Sequence, residues 1–383
     1  MTAAGIGPLG DVLARIAGRA AEHDRTGTFP HEAFDELFAA GALNLTVPRA
    51  FGGSEAGLAD SVRLVRDVGA ADPSVALVLA MHLIHHAALR RPGNAWPAAV
   101  RRQVQESTAD GPALINALRV EPDLGTPARG GLPATTAARV PGGWSLTGHK
   151  IYSTGIPGLR WLTVWARTDG DDPSVGAFLV PAGTPGYRVE ETWDHLGMRA
   201  TRSDDVIFTG AEIPEAYAVD VHPHAAGPPA PDPGALAWNP LLISAVYLGA
   251  AESARDWLAG YLNERVPANL GKPLASLPRF AAAVGGIEAR LRTAATVLQT
   301  TAEKCDAGAD VSADATLVKH TVTTAAIDAV ADGLALIGNP GLSRRNPIER
   351  HYRNVLCSRI HTPQDDTILT AAGTAALSRA DTG

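Results

Sequence analysis

Cysteine is scarce in this 383-residue chain: Cys305 and Cys357 are its only two, too few for a disulfide framework and without Cys-x-x-Cys spacing. They read as buried reduced thiols, so redox chemistry must come from a cofactor. Positive charge is not in surplus either. Lys+Arg 33 against Asp+Glu 40 leaves −7, with no long basic run, which excludes the field a nucleic-acid partner requires. Long hydrophobic runs are missing: the most apolar stretch, 75–89, is broken by His82, His85 and His86 and falls short of the roughly 20 apolar residues of a spanning helix. No membrane association is expected. Met1–Gly10 holds no Lys or Arg and no apolar core of signal-peptide length, so the expected location is the cytoplasm. The phosphate-loop, G-x-G-x-x-G and G-x-S-x-G signatures are absent. His222 and His224 stand at His-x-His spacing without a third ligand at metal-site spacing, and no metal is expected.

What is present is the composition of a packed protein, 45% hydrophobic and 19% charged, long enough for two or three domains. Residues 1–112 have a helical period: Phe34, Leu37 and Phe38 make one apolar face, and Gly41 is placed as a C-cap. Residues 113–220 change to short β-branched and aromatic runs, at 113–120, 137–140, 144–148, 161–167, 175–180, 187–190 and 206–208. Pro141-Gly142-Gly143 signals a hairpin among them, and strands at such short spacing predict a sandwich or barrel. Residues 221–237 open with VHPHAAGPPAPDPG and read as a Pro/Gly-rich linker. Residues 238–383 hold Ala/Leu-rich helical segments at roughly 240–263, 278–306, 311–337 and 364–379, a four-helix bundle.

Local motifs sharpen this multidomain α+β reading. FPHEAFDELFAAGALNLTVPRAFGG (Phe29–Gly53), VEPDLGT, WSLTGHKIYSTG and HLGMRATRSDDVIFTGAEIP follow one another along the chain. In that order and spacing they resemble the acyl-CoA dehydrogenase family of flavoproteins over nearly the whole length. The resemblance implies that family's fold: an N-terminal α-helical domain, a middle β domain and a C-terminal four-helix bundle, with FAD, or alternatively FMN, between the last two. Ala117, Arg119 and Val120 on one strand, and Tyr152, Ser153 and Thr154 on another segment, match positions flanking the flavin ring. There an aromatic ring can stack, and hydroxyl or N–H groups can meet the edge that gathers charge on reduction. Thr126 matches a Ser that meets the thioester, and Arg199 lies in the Leu-Gly-x-Arg segment near the same pocket. Arg265 and Gly271 resemble an Arg-x-x-Phe-Gly element reaching a neighbouring subunit's FAD diphosphate. Two extra residues separate them, and Leu270 replaces the Phe. Gly338-Asn339-Pro340-Gly341 stands where the family carries a Gly-Gly-x-Gly turn, with Ala335 in place of its Gln.

One requirement of the family is unmet. Removing a proton beside a thioester carbonyl needs a positioned carboxylate, yet the family's two places for that Glu fall on Thr362, in HYRNVLCSRIHTPQDD, and on Asn239. Neither is a base near neutral pH. Asp365 and Asp366 follow and read as exposed acids at a helix start. The same stretch resembles another branch of the superfamily, the reduced-flavin monooxygenases related to the dibenzothiophene-desulfurising enzymes. Tyr152-Ser153-Thr154-Gly155 and Arg353-Asn354 with His361-Thr362-Pro363 carry that likeness. Oxygen chemistry at a reduced flavin needs hydrogen-bond donors and exclusion of water, and Ser153, His361 and His82 are the candidate donors.

Three readings follow. The first is a monooxygenase of a small organic substrate, dependent on a separate flavin reductase. The second is an acyl-thioester dehydrogenase with a relocated base, passing electrons to an acceptor. The third is a non-catalytic relative that binds a thioester or partner. The family implies a homotetramer or homodimer.

Overall fold

Helical spacing in the first region produces α1 (Leu9–Thr26), α2 (His31–Ala39), α3 (Leu58–Ala71), α4 (Pro73–Leu89) and α5 (Ala98–Glu106). The structure is a computed structural model that describes residues 9–124, 131–227 and 232–380. Phe34 and Leu37 are buried, Phe38 packs against them half-buried, and Gly41 closes α2 at φ +78°. The left-handed turn there favours a residue without Cβ. α4 starts on the carboxylate of Asp72, which accepts from Ser74 N at 2.8 Å, with Pro73 at its first position.

The middle region forms β1 (Leu114–Leu118), β2 (Thr136–Val140), β3 (Gly143–Lys150), β4 (Leu159–Thr168), β5 (Ser174–Pro181), β6 (Tyr187–Glu190), β7 (Asp205–Pro214) and β8 (Ala218–Pro223). They make one mixed sheet in the order β6-β7-β3-β2-β4-β5-β8, with β1 parallel to the first half of β4. Pro141-Gly142 closes the β2–β3 hairpin, where Val140 pairs with Gly143 and Gly142 sits at φ +84°. The rings of Trp144 on β3 and Phe178 on β5 meet edge to face, 5.4 Å between centroids, although two strands separate β3 from β5. The sheet therefore curls around its own core.

The segment read as a linker from 221 begins inside β8, where His222 pairs with Val175. Its far end lies within α6 (Pro233–Glu264), which starts earlier than the periodicity suggests: Asp232 caps Gly234 N at 3.1 Å and Pro233 takes the first helical position. Proline at an edge strand or at a helix start sacrifices no backbone hydrogen bond, so its abundance there does not exclude regular structure.

With α6, the helices α7 (Pro278–Asp306), α8 (Ser312–Ile337) and α11 (Asp365–Ala380) form the expected bundle, joined by the short α9 (Asn339–Leu342) and α10 (Ile348–Leu356). α6 is long and apolar enough to cross a bilayer, but 78% of its most apolar window is buried inside the fold. Its neighbour across the domains is α3. At their crossing a Cβ on Gly249 would lie 2.1 Å from Arg66 O, and one on Gly69 would lie 2.6 Å from Val246 O. Alongside, Arg66 Nε donates to Glu252 at 2.6 Å.

A valine at Gly249 must push the two backbones apart, and Gly249→Val should lower unfolding free energy by about 3 kcal/mol, the upper range for overpacking. Gly260→Ala, on the same helix with open space around it, should raise it by about 0.5–1 kcal/mol through helix propensity. Denaturant titration checks both; equal effects at the two positions contradict the close crossing.

Candidate active site

The site begins where β1 and β3 end. An isolated bridge pairs Val120 with Ile151 and brings Ala117–Val120 alongside Tyr152–Thr154. Beneath it, fully buried Lys150 donates to Glu121 at 2.7 Å, and Glu121 also accepts from Ala134 N at 2.7 Å, Thr135 N at 2.9 Å and Thr135 Oγ1 at 2.6 Å. Loss of hydration raises the Glu121 pKa, but the hydrogen bonds from Lys150 and Thr135 outweigh it and the net shift is downward. Burial pulls Lys150 down to about 8 against the opposing pull of Glu121. Both groups are therefore charged at pH 7, a buried ion pair completed by backbone donors.

Above this pair the chain makes a strained turn. Tyr152 sits in left-handed backbone at φ +57° with its side chain about half in solvent (52% exposed). Asn116 Nδ2 donates to Thr154 O at 2.9 Å, and Ser153 N donates to Asp204 O at 3.3 Å. The Asp204 carboxylate accepts from Thr192 N at 3.0 Å, Trp193 N at 2.9 Å and Arg202 Nε at 2.8 Å. This fixes the 192–193 loop beside the turn. Trp193 and His195 meet at 3.7 Å between centroids, and Tyr152 lies 6.2 and 5.8 Å from them. Among the described residues, four non-glycines adopt left-handed backbone, and Tyr152, Met198 and Arg202 are three of them. Strain of about 1–3 kcal/mol per residue persists only where surrounding structure enforces it, and it gathers at functional sites. Ser153 Oγ is buried with no hydrogen-bond partner. An exposed aromatic ring beside an unsatisfied hydroxyl fits the edge and face of a flavin ring.

The bundle supplies a second cluster. Asn239 Nδ2 donates to Thr362 O at 2.8 Å, so the two residues read as stand-ins for the missing Glu meet one another. Next to them the Tyr247 hydroxyl lies 2.6 Å from His361 Nε2. Burial raises the Tyr247 pKa well above its ordinary value, so the phenol keeps its proton. His361 is pushed down to about 3, first by loss of hydration and then by the nearby charge of Lys319. Nε2 is the one hydrogen-bond partner of the phenol among the described residues, and which of the two groups donates is set by the imidazole tautomer. His361 is thus a neutral ring with a single N–H to donate. Lys319 Nζ, also buried, donates to Pro363 O at 2.8 Å and holds the same segment. The two clusters are tied together by α10: Asn354 Oδ1 accepts from Met198 N at 2.7 Å, and Arg353 pairs with Asp24 at 2.7 Å while donating to Leu196 O at 2.9 Å.

Several expected participants lie elsewhere. His82 Nε2 is 3.0 Å from Leu43 O; a carbonyl only accepts, so Nε2 carries the proton and the buried Nδ1 is bare. Burial holds its pKa down to about 4, and His82 is a neutral core histidine that cannot donate to the site, although α4 does touch the turn through Val78 and Gly155. Arg119 lies over the Trp165 ring, 5.0 Å from its centroid, instead of beside Tyr152. Arg199 donates from Nε to Asp24 O at 2.8 Å and from Nη1 to Asp194 and His195 O at 3.1 Å each, so these two nitrogens position the aromatic loop. Arg265, exposed at the end of α6, and Gly338 and Gly341, at the α8–α9 corner, make no hydrogen bond to the Tyr152 turn. Thr126 lies outside the described residues. Cys305 and Cys357 are free but half-buried, not fully buried. Asn116, Asp204 and Tyr247 were not singled out by the sequence: each works through tertiary partners far along the chain and carries no local motif.

A curled β domain, a helical bundle and a strained aromatic turn between them define a flavin-dependent oxidoreductase. The chain belongs to the acyl-CoA dehydrogenase family: the models of that family's N-terminal, middle and C-terminal domains match residues 12–96, 119–211 and 241–365. It is 31% identical to YdbM of Bacillus subtilis (strain 168), classed with the acyl-CoA dehydrogenases, over 94% of this chain and 93% of that one. It is 26% identical to the dibenzothiophene monooxygenase of Rhodococcus erythropolis, over 90% of this chain and 86% of that one. Among solved structures it resembles KijD3 in complex with FMN and dTDP-3-amino-2,3,6-trideoxy-4-keto-3-methyl-D-glucose. That match has TM-score 0.81 and 27% identity, over 97% of this chain and 92% of that one.

Lys150→Met leaves Glu121 as an unpaired buried charge and should cost about 3–5 kcal/mol, with flavin retention falling in parallel; calorimetry and bound-flavin absorbance read the two. Because the folded His361 pKa lies below its unfolded 6.5, its contribution is present above pH 6.5 and is lost as pH falls toward 3. NMR of His361 should therefore show no titration between pH 5 and 8; a midpoint in that window contradicts the neutral-donor assignment.

Proposed function

We propose that this enzyme is a reduced-flavin, O2-dependent monooxygenase of a small organic substrate. One observation carries the reading: Asn239 and Thr362, aligned with the family's two places for its catalytic Glu, are bonded to each other, and neither is an acid. The nearest carboxylate in sequence, Asp365, faces His320 Nδ1 at 3.3 Å. A bound flavin supplies the electrons and the oxygen reactivity. In this reading the Tyr247 phenol donates to Nε2, so that His361 Nδ1–H and Ser153 Oγ–H are the neutral donors that hold an oxygen, and neither carries a charge that attracts water. The likeness to a dibenzothiophene monooxygenase agrees with this set. Tyr152, Trp193 and His195 provide the aromatic face, and FAD or FMN meets the requirement; the KijD3 complex holds FMN.

The reading includes a separate source of reduced flavin. It includes a homotetramer or homodimer, supported by Leu369 and Leu377, which are 49% and 73% exposed on α11; Arg265 then reaches a neighbouring copy. It includes work in the cytoplasm, which suits the two free thiols. A dehydrogenase is the second reading, favoured by the likeness to YdbM, and it requires Asp365 or Asp366 to turn toward the thioester.

The separating experiment supplies the flavin-loaded protein either with a reductase, NADH and dibenzothiophene in air, or with acyl-CoA thioesters and an artificial acceptor without oxygen. Oxygenated product in the first arm and no acceptor reduction in the second is the expected result. His361→Ala should lower product formed per O2 consumed at least tenfold, since loss of one oxyanion-hole donor costs about 100- to 1,000-fold in rate, while flavin affinity changes less than twofold. Acceptor reduction that survives His361→Ala and fails in Asp365→Asn establishes the dehydrogenase.

A further inference from the structure

On the outer side of the 194–199 loop lies a cleft of about 950 Å³, bounded by α1, that loop and the start of α10. This volume suits a small ligand of nucleotide size. Its chemistry is that of arginine: Arg25, Arg199, Arg344, Arg345, Arg350 and Arg353 line it, against four acids. All four acids are already paired within the fold. Glu22 accepts from Arg25 Nε at 3.0 Å, Asp194 from Arg199 at 3.1 Å, and Asp24 and Glu349 both from Arg353 at 2.7 and 2.8 Å.

Three arginines remain. Among the described residues no carboxylate forms an ion pair with Arg344, Arg345 or Arg350, and Arg350 Nε is buried without a hydrogen-bond partner. Arg344 and Arg345 are exposed on a turn that is itself fixed: Arg345 N donates to Ser343 Oγ at 3.3 Å, Asn346 N donates to Ser343 O at 2.9 Å, and Asn346 Nδ2 donates to Pro340 O at 2.8 Å. Six arginines and four acids leave +2 in the cleft, in a chain whose net charge is −7. Such a local reversal of sign concentrates anions.

We propose that this cleft is a phosphate-binding site, in which Arg344 and Arg345 form planar, bidentate hydrogen bonds to a mono- or diphosphate group of a soluble small molecule. Guanidinium groups on a fixed turn match phosphate oxygens in a way that a flexible ammonium does not. The site and the aromatic turn share one loop: Asp194, His195 and Leu196 line the cleft, while the His195 ring also faces Tyr152. A phosphate anchored here therefore sits across that loop from Tyr152, which favours a phosphorylated substrate or effector over the phosphate of the flavin itself. The proposal holds for either reaction considered above.

The test is binding, not turnover. Inorganic pyrophosphate is titrated calorimetrically into the flavin-loaded protein at 50 mM salt, with wild type compared to the double variant Arg344→Ala/Arg345→Ala. Both residues are exposed and unpaired, so the melting temperature should stay unchanged; the Gln pair replaces the Ala pair if it does not. Affinity should fall at least tenfold in the variant, and should fall with added salt in wild type. In a second arm the FMN-to-riboflavin affinity ratio is measured in both proteins. An unchanged ratio assigns the phosphate to a molecule other than the flavin, whereas a ratio that falls with pyrophosphate affinity assigns it to the flavin. No pyrophosphate binding by wild type, or affinity within twofold in the variant, overturns the site.

Discussion

The ion pair between Glu121 and Lys150 is the constraint on which the site depends. Each charge alone would be intolerable in the core, and together they are held by three further donors from Ala134 and Thr135. Their effect is geometric: Glu121 follows directly on Ala117–Val120, and Lys150 precedes Tyr152 by two residues. Fixing one against the other sets the two flanking segments in register. The left-handed Tyr152 and its half-exposed ring follow from that register, because the neighbouring Ser153 and Thr154 are bound to Asp204, Ser203 and Asn116. A buried ion pair contributes little net stability compared with apolar residues of the same volume. Its value here lies in specifying one arrangement of a turn that local propensity alone would not adopt.

The second cluster is built of neutral groups. Tyr247 is buried and keeps its proton, and its hydroxyl meets His361 Nε2 at 2.6 Å. Asn239 binds the carbonyl of Thr362, not its side chain. Lys319 holds the following residue and adds positive potential that keeps the imidazole uncharged. These residues come from α6, α8 and the segment after α10, so the cluster depends on bundle packing, and the close α3–α6 crossing beside it limits how far that packing can relax.

The layered architecture was legible in the chain because its cues are local. Period 3.6 in the first and last regions, alternation in the middle, and Pro141-Gly142 at the hairpin each describe the element in which they occur. β8 escaped because it runs at Pro223 into a Pro/Gly-rich stretch that resembles loop chemistry, and the early start of α6 escaped for the same reason. For the site, the motif around Tyr152 falls on the strained turn, and Asn239 and Thr362, two residues without a carboxylate, meet in one hydrogen bond. What could not be read was tautomer and commitment. His82 and His361 are both histidines in apolar surroundings, and only their partners, a carbonyl for one and a phenol for the other, separate a core group from a donor. Arg199 likewise has the charge expected of a ligand contact, but its Nε and Nη1 are bound to α1 and its own loop.

The proposed set of neutral donors around a flavin, in place of a base, predicts a definite behaviour toward oxygen. The direct measurement is to reduce the flavin-loaded protein without oxygen, mix it rapidly with aerated buffer and follow the flavin absorbance. An absorbance distinct from both reduced and oxidised flavin, persisting in wild type and shortened in His361→Ala, is the result this account predicts. Direct return to oxidised flavin at the same rate in both proteins would contradict it.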